Sequence, residues 1–188
     1  MSRLTVYADQ DPSSTVLDTT DAAQIAATLA KVGVRFERWD APHDLPKGAS
    51  NDEILALYKK DIDRLIAQDG YQTVDVVHMV PDHPEKAAFR QKFLDEHRHS
   101  EDEVRFFVQG QGLFCLHLQD QVFQVLCTRN DLISVPANTP HWFDMGTQPE
   151  FTAIRLFNNP EGWVAHFTGS DIGQRFPYLD AIQPKANQ

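Results

Sequence analysis

The chain has 188 residues, enough for one domain with its own core, and 27 acidic against 17 basic residues leave a net charge of −10. That balance excludes the nucleic-acid backbone and an anionic membrane surface as partners, since both need clustered cations. Two cysteines exclude a disulfide scaffold or a cysteine-type zinc site, and no apolar run approaches the ~20 residues of a membrane-spanning helix.

Met1-Ser2-Arg3-Leu4-Thr5 leads straight into Asp9, Gln10 and Asp11, with no apolar signal-peptide core, so a cytoplasmic, reducing setting is expected. The N-terminal part, about residues 1–96, reads as helical. Asp21 to Val32 carries Ile25, Leu29 and Val32 at helical spacing, stopped by Gly33. Ser50 opens a second helix, with Glu53 completing a capping box. Its apolar stripe runs through Ile54, Leu57, Tyr58, Ile62, Leu65 and Ile66 to a stop at Gly70. A strand is predicted over Thr73 to Met79, and a third helix from Pro84 toward Glu96, carrying Ala88, Phe89 and Phe93.

Beyond residue 103 the apolar period changes from 3.6 to 2. Strands are predicted over Val104–Val108, Leu113–Leu118, Gln121–Cys127, Leu132–Val135 and Phe151–Phe157. Gly110-Gln111-Gly112, Asp120, Arg129-Asn130-Asp131 and Thr147-Gln148-Pro149 separate them. Many short, evenly spaced strands suggest a sandwich or barrel. The expectation is one α+β domain over 1–188, helices first and a β-barrel over about 72–182, with 183–188 as a tail.

Eight histidines beside two cysteines stand out. In His97-Arg98-His99 an extended backbone turns both imidazoles to one side. Glu103 follows four residues later, and Pro136-Ala137-Asn138-Thr139-Pro140-His141 brings a third imidazole to a turn-to-strand junction. Three neutral imidazoles and one carboxylate suit a first-row divalent metal and leave positions open for substrate or water. Glu96, Glu101 and Asp102 read as surface charges, with support of a metal ligand as the alternative for one of them. His43, His78, His83, His117 and His166 have no matching partners and read as surface or hydrogen-bonded structural residues, and Cys115 and Cys127 as buried and inert.

These residues also carry a resemblance. His97-x-His99-x-x-x-Glu103, then six residues to Gly110, is similar to the first cupin motif and Pro136 through His141 to the second, with Asn130 and Asn138 where glycines are usual. More specifically, Gly33 to Trp39, Glu101 to Phe107, Ser134-Val135-Pro136, Thr139 to Asp144 and Phe151 to Arg155 resemble the acireductone dioxygenases of bacterial type, over essentially the whole chain. The resemblance implies a mainly-β cupin (jelly-roll) barrel with N-terminal helices packed outside it. It also implies one Fe²⁺ or Ni²⁺ per chain held by His97, His99, Glu103 and His141. The implied reaction is oxidation of acireductone, 1,2-dihydroxy-3-keto-5-methylthiopentene, by O₂ in methionine salvage. The iron form yields formate and 2-keto-4-methylthiobutyrate; the nickel form yields formate, carbon monoxide and 3-methylthiopropionate.

Strand alternation puts Arg105 on the face of Glu103, and Arg155 shares a face with Phe151, Ala153 and Phe157. An inward arginine needs an anion, which a deprotonated acireductone provides; pairing with Asp102 or another surface acid is the competing role for Arg105. Phe93, Phe143 and Trp163 are candidates for an apolar wall around the substrate, with core packing as the alternative. Another metal-dependent cupin enzyme, such as an isomerase, and a non-catalytic small-ligand-binding cupin are the competing functions. The acidic surface suggests a monomer.

Overall fold

In the computed structural model, described for residues 1–46, 48–159, 161 and 164–182, strands dominate from the first residues onward. They are β1 (Arg3–Ala8), β2 (Asp11–Thr19), β3 (Arg35–Arg38), β4 (Thr73–Met79), β5 (His97–Arg98), β6 (Glu103–Leu118), β7 (Gln121–Thr128), β8 (Asp131–Val135), β9 (His141–Asp144), β10 (Phe151–Phe157) and β11 (His166–Phe167). The helices are α1 (Ala22–Ala30), α2 (Asn51–Leu57), α3 (Lys59–Asp69), α4 (Lys86–Leu94) and α5 (Leu179–Ile182).

The 16-residue strand β6 organises everything else. Its first half pairs antiparallel with β8 and β10, and its second half with β7 and β9. Two sheets therefore share one strand. One runs β11-β5-β9-β6-β7-β1-β2; the other adds β4 beyond β10 and β3 beyond β8. Their inner faces meet in one core, with Val6, Phe114, Leu116 and Phe123 from the first against Phe107, Ile133, Phe151 and Ala153 from the second. This is the expected jelly-roll pair of sheets, left open at its edges rather than closed.

Helices α2 and α3 cover the outside of the second sheet, burying Ile54, Tyr58, Ile62 and Leu65 against Val104, Phe106, Ile154 and Leu156. On the outside of the first sheet, Ile172, Phe176 and Leu179 pack on Trp142 and Cys115. Burying side chains of this size contributes about 1.5–3 kcal/mol each, so both outer layers hold firmly.

Several expectations need correction. The region before residue 96 is not mainly helical: β1, β2 and β3 lie in it as well as the expected β4. Nearly all of β2 is solvent-facing and polar, so it lacks alternation; it is a strand because β1, anchored on β7, offers it a ladder. The expected single helix from Ser50 to Gly70 is divided at Tyr58 (φ −106°, ψ 16°), whose ring is held edge-on against Phe106 at 5.6 Å. The capping box of Ser50 and Glu53 forms as expected, and Gly70 closes α3 in the left-handed conformation. Gly110-Gln111-Gly112 does not end a strand. It is where β6 passes from one sheet to the other, and a Cβ on Gly110 (φ +66°) would run into the Glu150 carbonyl. Residues 183–188, expected as a tail, lie outside the described residues.

Candidate metal centre

Strand pairing assembles the imidazoles. His97 on β5 stands directly opposite His141 on β9, and β9 is in turn paired with β6, whose first residue is Glu103. His99 follows β5 by one residue, so the alternation read from His97-Arg98-His99 is realised. The ring centroids of His97, His99 and His141 lie 4.4–5.1 Å apart, and their candidate donor atoms all fall within 4.8 Å of one another. All three rings are buried, as is Glu103.

The tautomers follow from their partners. His97 Nδ1 is 2.8 Å from the Asp95 carbonyl, His99 Nδ1 is 3.0 Å from that of Val164, and His141 Nδ1 is 2.8 Å from that of Thr139. A carbonyl only accepts, so each Nδ1 donates and each Nε2 keeps a free lone pair aimed at a common point. Burial, reinforced by the nearby His141, pushes His97 down to about 3, and burial lowers His99 as well. Both shifts disfavour the protonated forms of His97 and His99 and favour the neutral form that ligates metals.

Glu103 supplies the charge. Burial alone would raise its carboxyl, but the Arg105 guanidinium and the facing histidines outweigh that and hold it well below the usual carboxylate range. Its Oε1 accepts from Arg105 Nε at 2.7 Å. Its Oε2 has no hydrogen-bond partner among the described residues, and nor does His141 Nε2, although both are fully buried. Glu103 Oε2 lies 3.4 Å from His99 Nε2 and 3.5 Å from His141 Nε2. Buried orphan acceptors are costly unless a further group satisfies them. Three lone pairs and an anionic oxygen converging on one point fit a divalent cation of the first transition row.

Arg105 is clamped between aromatic rings, its guanidinium carbon 5.0 Å from the centroid of Phe114 and 4.9 Å from that of Phe143. Phe114 also stacks on His141 at 5.4 Å, a role the sequence reading missed. Arg105 does not pair with Asp102, which instead accepts from the Ala137 amide. Arg155 stands opposite Arg105 in the strand register and binds Asp75 through Nε and Nη2 at 2.9 and 2.6 Å. A cavity of about 350 Å³ opens onto this group, and His97, His99, Arg105, Arg155 and Phe93 line it. Phe143 is buried behind Phe93, edge-on at 6.4 Å, beneath Arg105. Trp163 lies outside the described residues.

Glu96 is not the surface charge expected. It is buried, bonded to His117 Nδ1 at 3.0 Å and to the Thr168 hydroxyl at 2.6 Å, while His117 Nε2 reaches Asp9 at 3.2 Å. The other histidines outside the cluster include His78, on Thr152 Oγ1, and the exposed His166.

Two sheets enclosing a three-histidine pocket define a cupin-type protein with a candidate metal site. The family model described as the ARD/ARD' family matches residues 3–165, and the chain belongs to that family. Among its relatives, the acireductone dioxygenase of Alcanivorax borkumensis is 65% identical over 178 residues, covering 95% of this chain and 98% of the relative. That of Pseudomonas aeruginosa is 62% identical over 180 residues, covering 96% and 99%. In structure, an acireductone dioxygenase from Bacillus anthracis with a cadmium ion in its active centre is similar at a TM-score of 0.78 and 30% identity, covering 89% of this chain and 98% of that one.

Proposed function

We propose that the protein is an acireductone dioxygenase, oxidising 1,2-dihydroxy-3-keto-5-methylthiopentene with O₂ in methionine salvage. The reading assigns one Fe²⁺ or Ni²⁺ per chain to His97, His99, Glu103 and His141. The observation that carries it is the buried pair of orphan acceptors, His141 Nε2 and Glu103 Oε2, beside two further free imidazole lone pairs. The similarity to named acireductone dioxygenases over nearly the full length supports the substrate. When bound, the cation supplies Lewis acidity toward the enediol oxygens.

The chain's own residues do the rest. Arg105, fixed by Glu103 and by two aromatic faces, keeps its terminal N–H groups for an oxyanion of the substrate. Arg155, braced by Asp75, offers its remaining amino group to the same charge. Phe93, backed by the buried Phe143, makes the apolar wall for the methylthio tail, and Trp163 is assigned to that wall by resemblance alone. Iron would direct the reaction to formate and 2-keto-4-methylthiobutyrate, and nickel to formate, carbon monoxide and 3-methylthiopropionate. The whole chain, 1–188, acts in this reading as one cupin-type domain, a cytoplasmic monomer with neither nucleic acid nor membrane as partner. The acidic charge supports the absence of polyanionic partners, and among the described residues no helix is long and apolar enough to cross a membrane.

Anaerobic mixing of acireductone with iron- or nickel-loaded protein, then admission of air, is expected to bleach the substrate absorbance with matching O₂ uptake. No uptake with either metal sinks the reading. Analysis of the products formed with each metal separately resolves keto acid from carbon monoxide.

A further inference from the structure

Three cations line the cavity in front of the imidazole cluster, and two are already engaged: Arg105 with Glu103, and Arg155 with Asp75. Lys92 makes no ion pair among the described residues. It lies on α4 between the helix positions of Phe89 and Phe93, and all three line the cavity. Spacings of three and four residues from Phe89 keep them on one helical face. The two rings are partly buried while Lys92 is exposed. Lys92 thus meets both the aromatic lining of the cavity and solvent. Among the described residues, no aspartate or glutamate lines this cavity, although the chain as a whole carries −10.

We infer that Lys92 is the steering and specificity residue that draws an anionic enediolate into the cavity, acting on entry and not on the reacting atoms. The inference rests on the function proposed above for its choice of ligand. An acidic molecule repels an approaching anion, so the entrance needs a local field of the opposite sign, and low-dielectric walls focus one. The fields of Arg105 and Arg155 are largely cancelled at a distance by their own carboxylates. The charge of Lys92 is not. It therefore sets how readily an anion is captured, and salt screens its effect.

The test uses metal-loaded protein and squarate, a stable enediolate dianion that does not react with O₂. Calorimetry at an ionic strength of about 10 mM, where charges act over roughly 30 Å, compares the native chain with Lys92→Met and Lys92→Arg. Lys92→Met is expected to weaken squarate binding roughly fivefold, the scale of one unscreened charge pair in water, while Lys92→Arg retains it. About 1 M salt should abolish the difference between native and Lys92→Met protein. In turnover, Lys92→Met should raise KM for acireductone by a similar factor with kcat unchanged. Unchanged squarate affinity in Lys92→Met, failure of the native protein to bind squarate, or a fall in kcat at constant KM each overturns the inference. If the native protein binds squarate in a Lys92-dependent way but consumes no O₂, the anion-steering role stands and the proposed reaction falls.

Discussion

At the residue scale, the state of the centre is decided by a few hydrogen bonds whose donors have no alternative acceptor. Glu103 serves twice, neutralising Arg105 through one oxygen and facing the imidazoles with the other. Removing its charge leaves Arg105 buried without a counter-ion, which typically costs 3–5 kcal/mol. Glu103→Gln is therefore expected to lower the stability of the metal-free protein by about that amount in urea unfolding, and to abolish stoichiometric metal by elemental analysis. His97→Ala and His141→Ala should lose metal too, and unchanged metal content in either would refute the assigned ligands. The asparagines standing where cupin glycines are usual have a local explanation. Asn130 (φ 83°) and Asn138 (φ 62°) both occupy the left-handed region that asparagine tolerates better than other non-glycine residues. Asn138→Gly should leave Tm within a few degrees, whereas Asn138→Val should cost about 1–2 kcal/mol, as a thermal melt would register.

At the element scale, β6 governs both the fold and the site. From Glu103 to Phe107 odd-numbered residues face inward, yet beyond the crossing the inward residues are Phe114 and Leu116. A register shift opposite Thr152 and Ala153, with the left-handed Gly110 just beyond, inserts the extra residue. The sequence reading broke the strand at Gly110-Gln111-Gly112, and across such a break alternation carries no phase that would set Phe114 beside Arg105. Gly110→Ala adds a left-handed strain to a collision with the Glu150 carbonyl and is expected to cost more than about 3 kcal/mol, measured by denaturant unfolding.

The junction of β1, β5 and β6 has its own pH signature. The bond to Glu96 raises His117 most strongly, burial opposes it, and Asp9 adds to the rise. A raised value in the folded state means that the stabilisation is complete below the ordinary histidine value of about 6.5 and fades as pH climbs through the raised one. His117→Gln should therefore destabilise the protein more at pH 6 than at pH 9. An equal loss at both would remove charge from the account of this junction.

At the scale of the whole molecule, metal loading is expected to couple to folding, because the candidate ligands come from β5, β6, β9 and the residue after β5. At a thousandfold excess over its dissociation constant, a metal that binds only the folded chain adds about 4 kcal/mol. For a chain of this size that raises Tm by roughly 8–16 °C, so a chelator should lower the calorimetric transition by as much. The sequence by itself singled out the three histidines that the fold gathers, and the alternation that points His97 and His99 together. It likewise determined the capped start of α2 and the bounds of β4 and β10. Each of these depends on residue chemistry and on spacings of a few residues. Only the tertiary structure decided the hairpin of β1 and β2, the passage of β6 between sheets, the bracing of Arg155 by Asp75 and the burial of Glu96. Those depend on partners brought together from distant parts of the chain, and a strand pairing or a buried ion pair has no local period to betray it.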